Sequence, residues 1–153
     1  MKFRLTDGRD EPKRAAEMVR VVVDTHIFIS ALLGLGKARR LVSEQLENPS
    51  VVLSKPMLAE LGNVLLRDKF TQVRSSEADR FLSIMVRSSM IVAVRSEFKT
   101  VTDDPDDDAV VNTAYRGEAD YIVTGDKHLL VLKEFKGIKI VKVNQLLGIL
   151  GGD

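Results

Sequence analysis

The chain of 153 residues contains no cysteine and only two histidines, His26 and His128. Without cysteine there is no disulfide framework, no thiolate zinc site and no cysteine nucleophile. Two histidines leave little from which to build a His-rich metal site or a Ser-His-Asp triad. No apolar run approaches the ~18 residues of a membrane span, and the charged N-terminus does not read as a secretory signal. The expectation is a cytoplasmic protein without a membrane anchor. What the chain does have is 44% hydrophobic and 29% charged residues. That composition and length suit one ordinary domain with a buried core.

Basic and acidic residues nearly balance, 23 against 22, but five of the acids fall in the hexapeptide Asp103-Asp104-Pro105-Asp106-Asp107-Asp108. The remainder of the chain is therefore distinctly basic. A basic body draws in a polyanion, while a concentrated acidic spot tolerates phosphates only when cations intervene. A solvated acidic loop is the competing reading of the same run.

Residues 1–17 are polar and without apolar period, and are read as an N-terminal extension; residues 18–150 are read as a single domain. From Val19 the chain alternates apolar strands and helices. Strands are expected at Val19–Val23, Val51–Leu53, Ile91–Val94, Tyr121–Val123 and Ile138–Val143. Helices are expected at Ile27–Leu33, Lys37–Leu46, after a Ser54 cap with Leu58, Leu61, Leu65 and Leu66, and after a Ser76/Asp79 capping box with Phe81, Leu82, Met85 and Val86. A further helix is placed at Ala109–Arg116, then a short one with Leu129, Leu130 and Leu132, and a last Leu-rich turn capped by Asn144. Continuously apolar strands separated by helices imply a mainly parallel sheet covered on both faces.

Ligands of such sheets bind beyond the carboxyl ends of the strands. Asp24 directly follows the first strand, Asp126 stands three residues after the fourth, Asp107 opens the helix before that strand, and Glu60 sits among Leu58, Ala59, Leu61 and Val64 on a helix. Taken singly, each has an ordinary reading as a cap, a turn former or a surface charge. Together, converging carboxylates repel and raise one another's pKa unless a cation intervenes. Oxygen donors with no cysteine favour Mg²⁺ or Mn²⁺ over zinc, and such ions serve phosphodiester hydrolysis without a protein nucleophile. The repulsion also predicts that Asp24→Asn raises the melting temperature of the metal-free protein.

The segment Val21-Val22-Val23-Asp24-Thr25-His26-Ile27-Phe28-Ile29-Ser30-Ala31-Leu32 resembles the opening of PIN-domain ribonucleases. Asp104-Pro105-Asp106-Asp107-Asp108, Ala114, Ala119-Asp120-Tyr121-Ile122-Val123-Thr124-Gly125-Asp126 and Leu129-Leu130 are similar to the toxin-like branch of that family. The resemblance runs from Val19 to Leu147. It implies an αβα sandwich around a mainly parallel sheet of about five strands, Mg²⁺- or Mn²⁺-dependent endoribonuclease activity, and frequent homodimers. It also implies a small antitoxin partner of the kind that blocks VapC-type toxins. Carried over by position, the acidic quartet is Asp24, Glu60, Asp107 and Asp126, supported by Thr124 and Ser30. The seven-residue spacing to Ala114 selects Asp107, with Asp104 and Asp108 near enough to assist. Two positions depart from the family: His26 stands where asparagine is usual, and His128 where an acid is frequent. Arg39, Arg40, Arg67, Lys69 and Arg74 are candidate phosphate contacts. A non-catalytic RNA-binding or scaffold module is the alternative, and a phosphotransferase or receiver-like domain a third, against which Asp24-Thr25-His26 lacks a second aspartate.

Overall fold

The computed structural model describes residues 19–33, 36–42, 50–65, 75–99 and 101–151. Strand β1 (Arg20–Val23) leads into helix α1 (Thr25–Leu32), followed by α2 (Gly36–Arg40). Then come β2 (Ser50–Ser54), α3 (Lys55–Leu65), α4 (Ser75–Ser88) and β3 (Ser89–Val92). The second half is α5 (Pro105–Arg116), β4 (Tyr121–Val123), α6 (Lys127–Leu130), β5 (Glu134–Phe135), β6 (Ile138–Val141) and α7 (Val143–Gly151). The expected extension, residues 1–17, lies outside the described residues, as do Leu46, Leu66, Arg67, Lys69 and Arg74.

The six strands lie in the order β3-β2-β1-β4-β6-β5, all parallel except β5, which pairs antiparallel with β6. Valines 21, 22 and 23 are completely buried, as expected of a central parallel strand covered on both faces. Helix α5 packs across β1, β2 and β4, contributing Val110, Val111 and Ala114 to the core. Met57, Leu61 and Val64 of α3, and Leu146 and Leu147 of α7, complete it. This is the expected αβα sandwich with one additional strand. The order reverses between β1 and β4, so the carboxyl ends of those two strands flank the topological switch point, the usual ligand crevice of an open α/β sheet.

Several boundaries differ from the sequence reading. Helix α5 begins at Pro105, four residues before the expected Ala109, because Asp104 caps it through the Asp106 amide and three aspartates fill its first turn. Proline at the first position and acids beside the helix N-terminus are favourable there. Strand β3 sits two residues earlier than Ile91–Val94, in register with β2 from Val51↔Ser89 to Ser54↔Val92; a shift of two keeps the same side chains facing the core. Ser54 is the last residue of β2, directly before α3, and its hydroxyl donates to Thr113 Oγ1 at 2.7 Å, because the Thr113 proton already goes to the Ala109 carbonyl. Helix α4 starts at Ser75, which puts Ser76 inside it, and Val86 is exposed while Met85 is buried. Helix α7 is a full helix from Val143; Gln145 Oε1 accepts the Lys142 amide in its first turn, and Asn144 is internal. Strand β5 was not expected. It is joined to β6 by Lys136 and Gly137, both at positive φ (51° and 83°), the conformation of a type I′ hairpin turn.

Gly117, which ends α5, is required by packing. A Cβ there would stand 2.5 Å from Val52 Cγ1 and 3.3 Å from the Thr113 carbonyl oxygen. Gly117→Ala is therefore expected to destabilise the fold by about 1–3 kcal/mol, read as a lower urea midpoint with an unchanged slope.

Candidate active site

Four acids reach the carboxyl edge of the sheet by different routes. Asp24 occupies the cap position of α1, yet its side chain makes no capping hydrogen bond. It is buried, and Oδ2 accepts a 2.6 Å bond from the Thr124 hydroxyl beyond β4. Thr124 Oγ1 in turn accepts the Asp126 amide at 2.9 Å. One hydroxyl thus ties together the two acids that follow the two switch-point strands.

Threonines order the other two acids as well. Thr25 Oγ1 donates to Glu60 Oε1 at 3.0 Å, holding the mid-α3 carboxylate toward the start of α1. Thr102 Oγ1 donates to Asp107 Oδ2 at 2.7 Å and accepts the Asp104 amide at 3.0 Å. Asp107 is only 2% exposed although it belongs to the acidic run, so that run is no solvated loop at this position. Asp104, Asp107 and Asp126 each place a carboxylate oxygen within 4.8 Å of the others. Asp104 and Asp126 also cap α5 and α6 through the Asp106 and His128 amides, and a carboxylate with two oxygens can do both.

The remaining predicted residues play other parts. Asp108 turns away to accept the Val101 amide at 2.8 Å, holding the lead-in to α5. Asn112 fixes the same lead-in at two points, its amide bonding both Phe98 N and Phe98 O. Ser30 is half-buried in α1, and the hydrogen bonds that order the acids run through Thr25, Thr102 and Thr124 instead. Arg39 and Arg40 are exposed on α2. Thr25, Thr102 and Asp106 escaped the sequence reading. A signal existed for Thr102, which stands two residues before Asp104 in the spacing of a hydroxyl-to-amide turn.

The electrostatics divide the acids. Burial alone would raise the Asp24 carboxyl, but His26 and the Thr124 hydroxyl outweigh it and hold the carboxyl below its ordinary range. The interaction with Asp24 raises the His26 imidazole, against partial burial and with help from the charges of Asp24, Glu60 and Asp126. Glu60 is raised, first by burial and then by Asp106, with the Thr25 hydroxyl opposing. Asp107 is pushed up to about 7 by burial and by hydrogen bonding and repulsion from Asp126, against the Thr102 hydroxyl, with Asp104 adding to the repulsion. The relief expected from neutralising Asp24 thus belongs to Asp107. Asp24 is content as an anion, because donors surround it.

This arrangement is a set of hard oxygen donors, one of which, Asp107, is driven toward its neutral form by burial and by Asp126. Such a set suits a hydrated divalent ion of the Mg²⁺ or Mn²⁺ type. Comparison with known proteins agrees in kind. A family model described as the PIN domain matches residues 20–128. The chain is 33% identical over 135 residues to the uncharacterized protein MJ1680 of Methanocaldococcus jannaschii, covering 84% of this chain and 83% of that protein. In fold it is similar to PAE2754 from Pyrobaculum aerophilum, with TM-score 0.61, 19% identity and coverage of 97% and 99% of the two chains. It is also similar to a chain of VapBC2 from Rickettsia felis, solved bound to a DNA fragment from its promoter, with TM-score 0.56, 15% identity and coverage of 81% and 98%.

Proposed function

The chain belongs to the PIN-domain family, and from that premise we propose that it is a metal-dependent endoribonuclease hydrolysing RNA phosphodiester bonds. The observation that carries this reading is the cluster of Asp104, Asp107 and Asp126, whose carboxylate oxygens lie within 4.8 Å of one another, with Asp24 tied to the Asp126 loop through Thr124 and Glu60 tied to the start of α1 through Thr25. Asp107 and Asp126, with Asp104 beside them, would hold an Mg²⁺ or Mn²⁺ ion, and Asp24 and Glu60 are proposed to complete the acidic site. Such an ion supplies charge to the scissile phosphate and lowers the pKa of water bound to it.

The chain's own residues do the rest. Thr124 donates to Asp24 and Thr102 to Asp107, which orients both carboxyls and favours their ionised forms. Arg39 and Arg40 supply exposed positive charge for the RNA backbone; Arg67, Lys69 and Arg74 are proposed for the same task. The unit doing this work is proposed to be a single domain of residues 18–150.

Among the described residues no helix is long and apolar enough to cross a membrane, which is compatible with the proposed cytoplasmic setting. A toxin role with a small antitoxin partner, and a homodimer, are proposed from the family resemblance. Single-stranded RNA should be cleaved in millimolar Mn²⁺ or Mg²⁺ and left intact in EDTA, with activity returning on readdition. Cleavage that persists in excess chelator sinks the metal mechanism. RNA that binds but is never cut under any ion points instead to a non-catalytic RNA-binding module.

A further inference from the structure

Asn112 stands on α5 beyond Asp107, about 7.5 Å further along the helix axis. It is 3% exposed, in a stretch whose Val110, Val111 and Ala114 belong to the core. Its side-chain hydrogen bonds all go to backbone. Oδ1 accepts the Phe98 amide at 3.0 Å, while Nδ2 donates to the Phe98 carbonyl at 2.9 Å and the Asp108 carbonyl at 2.8 Å. A buried amide satisfied in this way specifies one arrangement of the chain it holds. That chain is the lead-in to α5, and it is fastened again further on. Asp108 Oδ1 accepts the Val101 amide, and Thr102 Oγ1 joins Asp107 Oδ2 to the Asp104 amide. The line of contacts thus ends on two of the three acids that could share an ion. We propose that Asn112 is a positioning residue for that cluster: its hold on Phe98 sets the course of the lead-in, so that Thr102 keeps Asp104 and Asp107 where one divalent ion can bridge them. This role rests on the metal-dependent reading above.

A purely structural use of Asn112 would stop at holding Phe98 against the helix. The Phe98 ring already does that, packing edge-to-face on Tyr115 of α5 and Phe135 of β5 with centroids 4.9 and 5.0 Å apart. Ring contacts fix where Phe98 sits but leave the direction of its backbone open. The Asn112 amide settles that direction, because it engages the N–H and the C=O of one residue together. Little slack is tolerated downstream. Thr102 holds Asp107 at 2.7 Å and the Asp104 amide at 3.0 Å, and a shift of about 1 Å takes such bonds out of range. A misplacement of that size, caused by a change away from the chemistry, costs on the order of a hundredfold in rate.

The test is Mn²⁺ affinity by calorimetry on wild type, Asn112→Ala, Thr102→Val, their double variant and Gly117→Ala. Gly117→Ala serves as the control, since it loosens the fold through Val52 and not through the lead-in. Asn112→Ala and Thr102→Val should each weaken Mn²⁺ binding about tenfold, while Gly117→Ala binds Mn²⁺ as wild type does. The double variant should be no weaker than Thr102→Val alone, because both changes act along one line of contacts. Thr102→Ser should restore most of what Thr102→Val loses. In EDTA, the Val101 and Asp104 amides should exchange faster in Asn112→Ala than in wild type. Equal Mn²⁺ affinity in wild type and Asn112→Ala overturns the role of Asn112 and leaves the acidic site standing. Losses that add in the double variant overturn it too, as does a loss in Gly117→Ala as large as that in Asn112→Ala. If Asn112→Ala does not fold, Asn112→Ser makes the same comparison. Its hydroxyl can bond the Asp108 carbonyl one turn back, but one oxygen cannot replace the two-point hold on Phe98. Wild type that binds no Mn²⁺ overturns both this inference and the reading it rests on.

Discussion

Asp24→Asn and Asp126→Asn should each lower RNA cleavage on the order of 10³-fold at saturating Mn²⁺, while RNA binding changes little. Metal-assisted charge stabilisation is worth several kcal/mol, and each 1.36 kcal/mol is a factor of ten. Asparagine at position 24 still accepts the Thr124 hydrogen, so the loop after β1 keeps its 2.6 Å tie and only the charge is lost. In the acidic run the same substitution sorts three neighbours. Asp107→Asn should be the most damaging, Asp104→Asn intermediate, and Asp108→Asn mild, because Asp108 is engaged with the Val101 amide. The measurement is single-turnover cleavage alongside a binding isotherm for each variant. A larger loss at Asp108 than at Asp107 would show that the third acid has been misassigned, and weakened binding with unchanged turnover would turn the quartet into a binding surface.

In EDTA, Asp107→Asn should melt above wild type at pH 8 and together with it at pH 4. Asp107 titrates near 7 in the fold against 3.8 ordinarily. Between those values the folded chain holds a proton that the unfolded chain has released, so metal-free stability declines as pH rises from about 4 to about 7 and then levels off. Asparagine removes that ionisation and still accepts the Thr102 hydroxyl. Glu60 titrates in both proteins, so the difference between them isolates position 107. Adding Mn²⁺ at pH 8 should reverse the order. An ion bound only by the folded state stabilises by RT ln(1 + [L]/Kd), about 2.7 kcal/mol at a hundredfold excess over Kd, and the variant lacks a ligand. Asp24→Asn should behave oppositely in EDTA and melt lower, since Asp24 is held below its ordinary range by donors. If the gap between wild type and Asp107→Asn is the same at pH 4 and pH 8, the burial of Asp107 is not what perturbs it.

Local pattern was enough to reveal the alternation of strands and helices. Runs such as Val21-Val22-Val23 and Tyr121-Ile122-Val123 have one stable solution, a strand buried on both faces, and the intervening amphipathic stretches must cover it. That alone puts Asp24 and Asp126 at one edge of the sheet, since each closely follows a parallel strand. Periodicity could not start α5 correctly, because its first turn is charged and carries no apolar signal; the helix dipole and Pro105 make that turn. Nor could it find β5, whose two residues exist by pairing with β6 across Lys136-Gly137.

What only the tertiary structure decided is the state of each acid. Asp24 and Thr124 meet across 100 residues of sequence, and Thr25 reaches Glu60 across 35. No local propensity encodes such pairs, because they arise where β1 and β4 become neighbours and where α3 lies against α1. Asp107 and Asp108 are adjacent in sequence and identical in type. One is turned into the cluster and driven toward the neutral form by burial, while the other serves the Val101 amide. The residue types determined which chemistry was possible; burial and hydrogen-bond partners, set by the packing of α5 on the sheet, decided which carboxylates are placed to carry it.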